Sequence, residues 1–484
     1  MKRFKEKRFY LIFIFFFCLI ISGFAQQTLQ ITGVIPDVFI PDPDAIRLNK
    51  AESLTDTEFI YYAFRFSGLN IENTELFVKK YETLTENLSS YFEKNNINLN
   101  DSYKKGEVIL LFLHDNLLKR YVEMETRLYE LFNKGVFNCV SSGIIYYALA
   151  MKNNLDVRAI RTKDHAFCAI IIDDKVIDIE TTNRHGFDPG DKKEFVDSFG
   201  KTGFVYTPPS NYRDRYEISN KELLSLILQN RIAELQHKGN FMDTVSIAVD
   251  RNAALGTDDS FKDMINEFKN HSVQLGNKRD YKSAITFLSS AASAYNYDPV
   301  LTDTASKLFY NQIVRYLEKN QTDFAMDFYR YFEPDPVIIS EMRQDVFKLI
   351  NQKELQLFIQ NNAFELSRTK IFEYYEKDFF NKTDKINYLV FLYSKEITRL
   401  SNNNDWNNAI ITAHQAIEET EKDSRMVKIE ENVKYNIGVM YHNKFANFYN
   451  KGDKNNAAAA LEEGLEIVPD NKTLLSDLER LKMQ

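Results

Sequence analysis

Hydrophobic positions recur at helical spacing over most of the chain. Residues 50–134 read as mostly helix, and Val108 to Phe132 carries Leu111, Leu118, Tyr121, Met124, Leu128 and Leu131 at that spacing, with Gly135 as the stop. Cys139 to Met151 predicts a further helix, with Val140, Ile144, Tyr147, Ala148 and Met151 on one face. Asn138 is a good N-cap, which puts Cys139 at the first helical position, and Asn153-Asn154 ends the helix. The character then changes. Leu155–Ile160, Ala166–Ile172 and Val176–Thr181 read as strands, the last two joined by Asp173-Asp174 as a two-residue hairpin turn. Residues 183–217, with Gly186, Pro189, Gly190, Gly200, Gly203, Pro208 and Pro209, read as loop. Residues 26–49, with Pro36, Pro41 and Pro43, read as an extended leader.

From residue 219 onward the chain is helical and repetitive. An aromatic is followed three residues later by a small or polar residue, and seven residues after that by another position that is often small. Tyr281, Ala284 and Ala291 make one clear copy, and Trp406, Ala409 and Ala416 another. Lys454, Ala457 and Gly464 make the last, and weaker copies start at Phe241, Phe324 and Phe364. Small residues at those places let two antiparallel helices approach closely, and stacked hairpins bury a continuous core. The pattern resembles the tetratricopeptide repeat, at a longer period than that family's usual ~34 residues. An irregular helical bundle is the alternative.

Composition adds an address. Lys2, Arg3, Lys5, Lys7 and Arg8 precede an unbroken apolar run from Phe9 to Ile21, and Ser22-Gly23-Phe24-Ala25 supplies small residues. This is the pattern of a secretory signal peptide over residues 1–25, so the expectation is an exported protein, periplasmic or secreted. An uncleaved anchor, or a lipid on Cys18, is the minor alternative. The run is short of the ~20 residues that cross a bilayer, and no membrane span is expected after cleavage. The segment carries five basic residues and one acid, so its removal takes the formal charge from −8 to −12. A chain that acidic repels nucleic acid.

Only Cys139 and Cys168 survive cleavage, which is no disulfide scaffold. A nucleophilic cysteine needs a favoured thiolate, a base within reach and a group that orients the base. A helix N-terminus offers Cys139 the first in part, and its backbone N–H groups could hold an oxyanion. His165 opens the strand that follows. If Asp173 and Asp174 form the turn, Ile172 pairs with Lys175, and His165, Phe167, Asp178, Glu180 and Thr182 share one face. Glu180 is then about 7 Å along the strand from the His165 register and Asp178 about 13 Å, so Glu180 is the first choice of acid and Asp178 the second. Cys168 points to the other face. A Cys139–Cys168 disulfide is an alternative use of the two thiols.

The run Asn138-Cys139-Val140-Ser141-Ser142, then His165-Ala166-Phe167, then Glu180-Thr181-Thr182 resembles the transglutaminase-like superfamily, which has a papain-like core. The resemblance implies Cys139 as nucleophile, His165 as general base and acid, and Glu180 as the residue that orients it. Asn138, Phe167 and Thr182 support them, Phe167 packing beside the histidine. Two departures stand out: Glu180 where the family usually has Asp, and Val140 where Trp often follows the Cys. The expectation is an α+β transglutaminase-like domain over residues 50–215, followed by an all-α solenoid of helical hairpins over 219–484. The function expected is a cysteine hydrolase or acyltransferase acting on an amide bond, with no metal or organic cofactor. A protein or peptide partner would lie on the concave face of the repeats. The competing expectation is an inactive envelope scaffold built on the same folds.

Overall fold

The computed structural model describes residues 36–163, 165–190 and 215–483. The expected signal peptide, the leader as far as residue 35 and most of the expected loop over 183–217 lie outside the described residues. The chain is predominantly helical and divides into two compact units, residues 1–305 and 306–484.

In the first unit the helices start where side chains cap them. The end of the leader is helical rather than extended: α1 (Pro43–Lys50) begins with the Asp42 carboxylate accepting from the Asp44 N–H. Proline at the first helical position gives up an N–H that the helix leaves unbonded anyway, and its φ is already helical. α2 (Asp56–Phe66) opens on a Thr55–Glu58 capping box, and α3 (Ile71–Lys94) on Asn70. The single helix expected over 108–132 is two. α4 (Ser102–Asn116) stops where Leu117 leaves the helical region, and α5 (Leu128–Lys134) ends on left-handed Gly135 at φ 68°. Between them β1 (Arg120–Tyr121) pairs in parallel with β2 (Val136–Phe137). Leu118, Leu128 and Leu131 are all buried. Periodicity foresaw their burial without seeing that they belong to separate segments.

α6 (Cys139–Lys152) is buried on nearly every side. Ile144, Ile145, Tyr146, Ala148, Leu149 and Ala150 are all at 0% exposure, where a single apolar face was expected. It is enclosed by α2, α4, the sheet and α7 (Asn220–His237). The sheet is antiparallel, in the order β5 (Lys175–Ile179), β4 (Ala166–Ile172), β3 (Val157–Arg161), β6 (Tyr216–Ile218). Ile172 pairs with Lys175, and Asp173 and Asp174 form the turn with φ of 47° and 63°. β6 lies at the end of the stretch read as loop and supplies the outer strand.

The domain boundary expected between residues 215 and 219 falls inside the first unit. Leu223, Leu224, Leu226, Ile227 and Leu228 of α7, with Ile247 and Ala254 of α8 (Phe241–Leu255), share one core with α6 and β4. Repeat spacing marks where a hairpin begins, not which neighbour takes its apolar face. α9 (Asp258–Asn277) and α10 (Tyr281–Ala294) continue this unit, and α11 (Pro299–Glu318) crosses its boundary.

The second unit holds α12 (Thr322–Phe332), α13 (Ser340–Gln360), α14 (Phe364–Glu376), α15 (Lys382–Asn402), α16 (Trp406–Glu419), α17 (Ser424–Tyr449), α18 (Lys454–Ile467) and α19 (Lys472–Lys482). Each packs on the next in sequence. Helices begin at Phe241, Tyr281, Phe364, Trp406 and Lys454, and near Phe324 at Thr322. Asp280, Asp405 and Asp453 cap three of them, one residue ahead of the start. The small positions are contact positions: Ala284, Ala291, Ala409, Ala416 and Ala457 are all fully buried. A methyl added at Gly464 would lie 2.8 Å from Leu474 and Tyr441.

Candidate active site

Three elements converge on one cleft in the first unit. The N-terminus of α6 presents Cys139, half-buried, and Asn138 fixes that end. The Asn138 side-chain oxygen accepts from the Val140 and Ser141 N–H groups at 3.1 and 3.0 Å, and the Asn138 N–H donates to Ser141 Oγ at 2.9 Å. Asn138 Nδ2 donates to the Glu123 carbonyl at 3.0 Å, tying the helix end to the segment after β1. Replacing Asn138 with alanine removes the cap, and should lower stability by about 1–2 kcal/mol in urea unfolding.

A tight turn delivers the histidine. The Thr162 N–H donates to the His165 carbonyl at 2.9 Å, and the His165 N–H to Thr162 Oγ1 at 3.2 Å. His165 Nε2 lies 2.7 Å from Glu180 Oε2, and the ring lines the same cleft as Cys139. Both members of the His165–Glu180 pair are buried. Burial opposes charge on the ring, but the Glu180 carboxylate, with Cys139 nearby, outweighs it and pushes His165 up to about 11. Burial likewise opposes charge on Glu180, and His165 with Thr182 more than compensates, so its carboxyl is held below the ordinary carboxylate value. The second Glu180 oxygen accepts from Thr182 Oγ1 at 2.7 Å and from the Thr182 N–H at 3.1 Å.

The two candidate acids separate cleanly. Asp178 is held by Arg215 through two hydrogen bonds of 2.8 and 2.6 Å, while Glu180 holds the imidazole. Phe167 stacks beside the His165 ring, centroids 6.1 Å apart. Cys168 is a free, fully buried thiol whose Sγ donates to the Gly143 carbonyl, and burial raises its pKa. Cys139 is also free, so the disulfide alternative is not what the fold holds. Arg184 and His185 are exposed outside the cleft, Arg184 paired with Asp115.

Glu180 sits just past the end of β5, and its N–H donates to the Gly186 carbonyl at 2.8 Å. A methyl at Gly186 would collide with the Glu180 carbonyl oxygen and lie 2.9 Å from its carbonyl carbon and Cβ. Gly186→Ala should therefore cost about 1–3 kcal/mol in thermal or urea unfolding. Behind the acid strand, the Thr181 side chain meets Ser142 Oγ at 2.9 Å, and its carbonyl lies 3.1 Å from His114 Nε2. Burial pushes His114 down to about 4, so it is neutral at ordinary pH.

The cleft has a volume of about 190 Å³ and is open to solvent. Cys139 and His165 line it with Tyr121, Arg161, Thr162 and Lys163, and one wall is Leu226, Gln229, Asn230 and Ala233 of α7. Sequence reasoning missed these lining residues. The short run between the β3 and β4 patterns could have flagged Arg161 to Lys163, but nothing local marks α7. Among the described residues no group of three His, Cys, Asp or Glu is placed to hold a metal ion. No helix among them is long and apolar enough to cross a membrane.

No family model matches the sequence, and no curated protein matches it. Among solved structures the chain is similar to that of menin, described as revealing the binding site for Mixed Lineage Leukemia (MLL) protein. The two are 14% identical over 66% of this chain and 88% of that one, with a TM-score of 0.29. A likeness at that level carries no argument about fold or activity.

Proposed function

We propose that the first unit is an exported thiol-dependent amide hydrolase or acyltransferase of transglutaminase-like type. The observation that carries this reading is the buried His165–Glu180 pair at 2.7 Å, with the same imidazole lining one open cleft together with Cys139. Glu180 holds Nε2 and keeps the ring charged at neutral pH, so the ring acts first as a counter-charge that stabilises Cys139 as a thiolate. The sulfur attacks the amide carbonyl carbon, and the tetrahedral intermediate collapses with cleavage of the C–N bond. The leaving amine takes the proton from the ring, and water or a second amine then resolves the thioester and returns the thiol. Glu180 keeps the ring charged until that transfer, in line with its effect on the His165 titration. Of the N–H groups at this helix end, those of Val140 and Ser141 are committed to Asn138. The Cys139 N–H is therefore the backbone donor that remains for a developing oxyanion.

The helical hairpins of residues 306–484 would serve this site by binding a protein partner or substrate. The test is the reactivity of Cys139 toward a neutral alkylating reagent at neutral pH, followed by mass spectrometry. Fast labelling at Cys139 that depends on His165 supports the enzyme. A rate equal to that of the unfolded chain supports the inactive scaffold instead.

A further inference from the structure

The turn that carries His165 also carries two cations. Arg161 closes β3 opposite Ala166, Lys163 follows two residues later, and both line the cleft beside the histidine. Among the described residues neither forms an ion pair with a carboxylate, and Arg161 spends a hydrogen bond on neutral Gln229 of α7 at 3.2 Å. Glu123 is the acid that lines the same cleft, and Glu180 is already matched by His165. A positively biased cleft is unexpected in a chain of formal charge −8. Unmatched cations beside a reaction centre attract and orient an anion.

We propose that Arg161 and Lys163 select a substrate that bears a carboxylate beside the scissile amide. This rests on the reading of Cys139 and His165 as the reacting pair. The carboxylate sits against the guanidinium and ammonium groups and is held near the imidazole, which serves the leaving amine. A carboxylate at the end of a chain and one on an acidic side chain share this chemistry.

Iodoacetate and iodoacetamide test it on the full chain, because they differ by one carboxylate and attack the same sulfur. The ratio of their Cys139 alkylation rates should fall about fivefold in the R161Q/K163Q variant, the size expected of two charges acting at the mouth of a wet cleft. The charge-retaining R161K/K163R variant should keep the ratio, which separates charge from damage to the turn. Raised salt should narrow the gap between wild type and R161Q/K163Q. An unchanged ratio in R161Q/K163Q, with Cys139 still labelled rapidly by iodoacetamide, overturns the carboxylate site and leaves the nucleophile standing. Slow labelling of wild-type Cys139 by both reagents removes the nucleophile and this inference with it. Protection of Cys139 by N-acetylglycine assigns a terminal carboxylate, and protection by N-acetylaspartate amide assigns an acidic side chain.

Discussion

In the His165→Ala variant, alkylation of Cys139 near neutral pH slows by roughly 100-fold or more, because the charged ring that stabilises the thiolate is lost. The ring lines the cleft with the thiol, and nothing else lining it combines a titratable nitrogen with a buried counter-charge. The measurement is a stopped-time labelling course read by peptide mass. Cys168 is an internal control, since it is fully buried against α6 and should stay unlabelled in both proteins. Equal rates in the variant and the wild type would mean that the imidazole does not activate the sulfur.

The second large effect is on stability. Glu180→Ala leaves the His165 ring buried without its counter-charge, and the expected cost is about 3–5 kcal/mol at the pH where the pair counts most. That pH follows from the two titrations. His165 is raised, so its contribution is complete below the ordinary imidazole value of 6.5 and drains away as pH climbs through about 11. Glu180 is lowered, so its contribution is present above the ordinary carboxylate value of 4.5 and is lost as pH falls through its folded value. As one ion pair the two stabilise most between pH 4.5 and 6.5. Urea unfolding of the wild type and the variant across pH 4–10 should give the largest difference in that window, shrinking on the alkaline side. A difference that is flat with pH would mean that the variant acts through packing alone.

The local pieces of this site were legible because each depends on near neighbours in the chain. Asn138 before an apolar run announces a cap, and the cap fixes where Cys139 sits. Two aspartates between apolar strands announce a hairpin, and its register then decides which acid faces the imidazole. The choice between Glu180 and Asp178 came from counting across that turn, and the partners agree: Glu180 holds His165 and Asp178 holds Arg215. The repeat starts were legible for a similar reason, since small residues recur wherever two helices must touch.

What the sequence hid is long-range. The break between α4 and α5 arises because the Lys119 and Arg120 N–H groups both donate to the Gly135 carbonyl. That partner lies well along the chain, and no helical periodicity registers it. The wall of the cleft is further away still. Leu226 and Gln229 lie about sixty residues or more beyond His165, in a segment whose pattern reads as one more hairpin. Proline in the leader was misread because one residue type both breaks a helix interior and opens a helix.

The helical hairpin α7–α8 belongs to the Cys139 cleft as much as to the helices that follow it. Leu223, Leu224 and Ile227 of α7 lie in the core of the Cys139 helix, and Gln229 and Asn230 line the cleft. A chain severed at residue 219 would bare a greasy stripe and lose a side of that cleft. Excision or shuffling of the Cys139-bearing portion therefore has to cut beyond Leu255. The head and the first turn of the tail are inherited as a single indivisible piece.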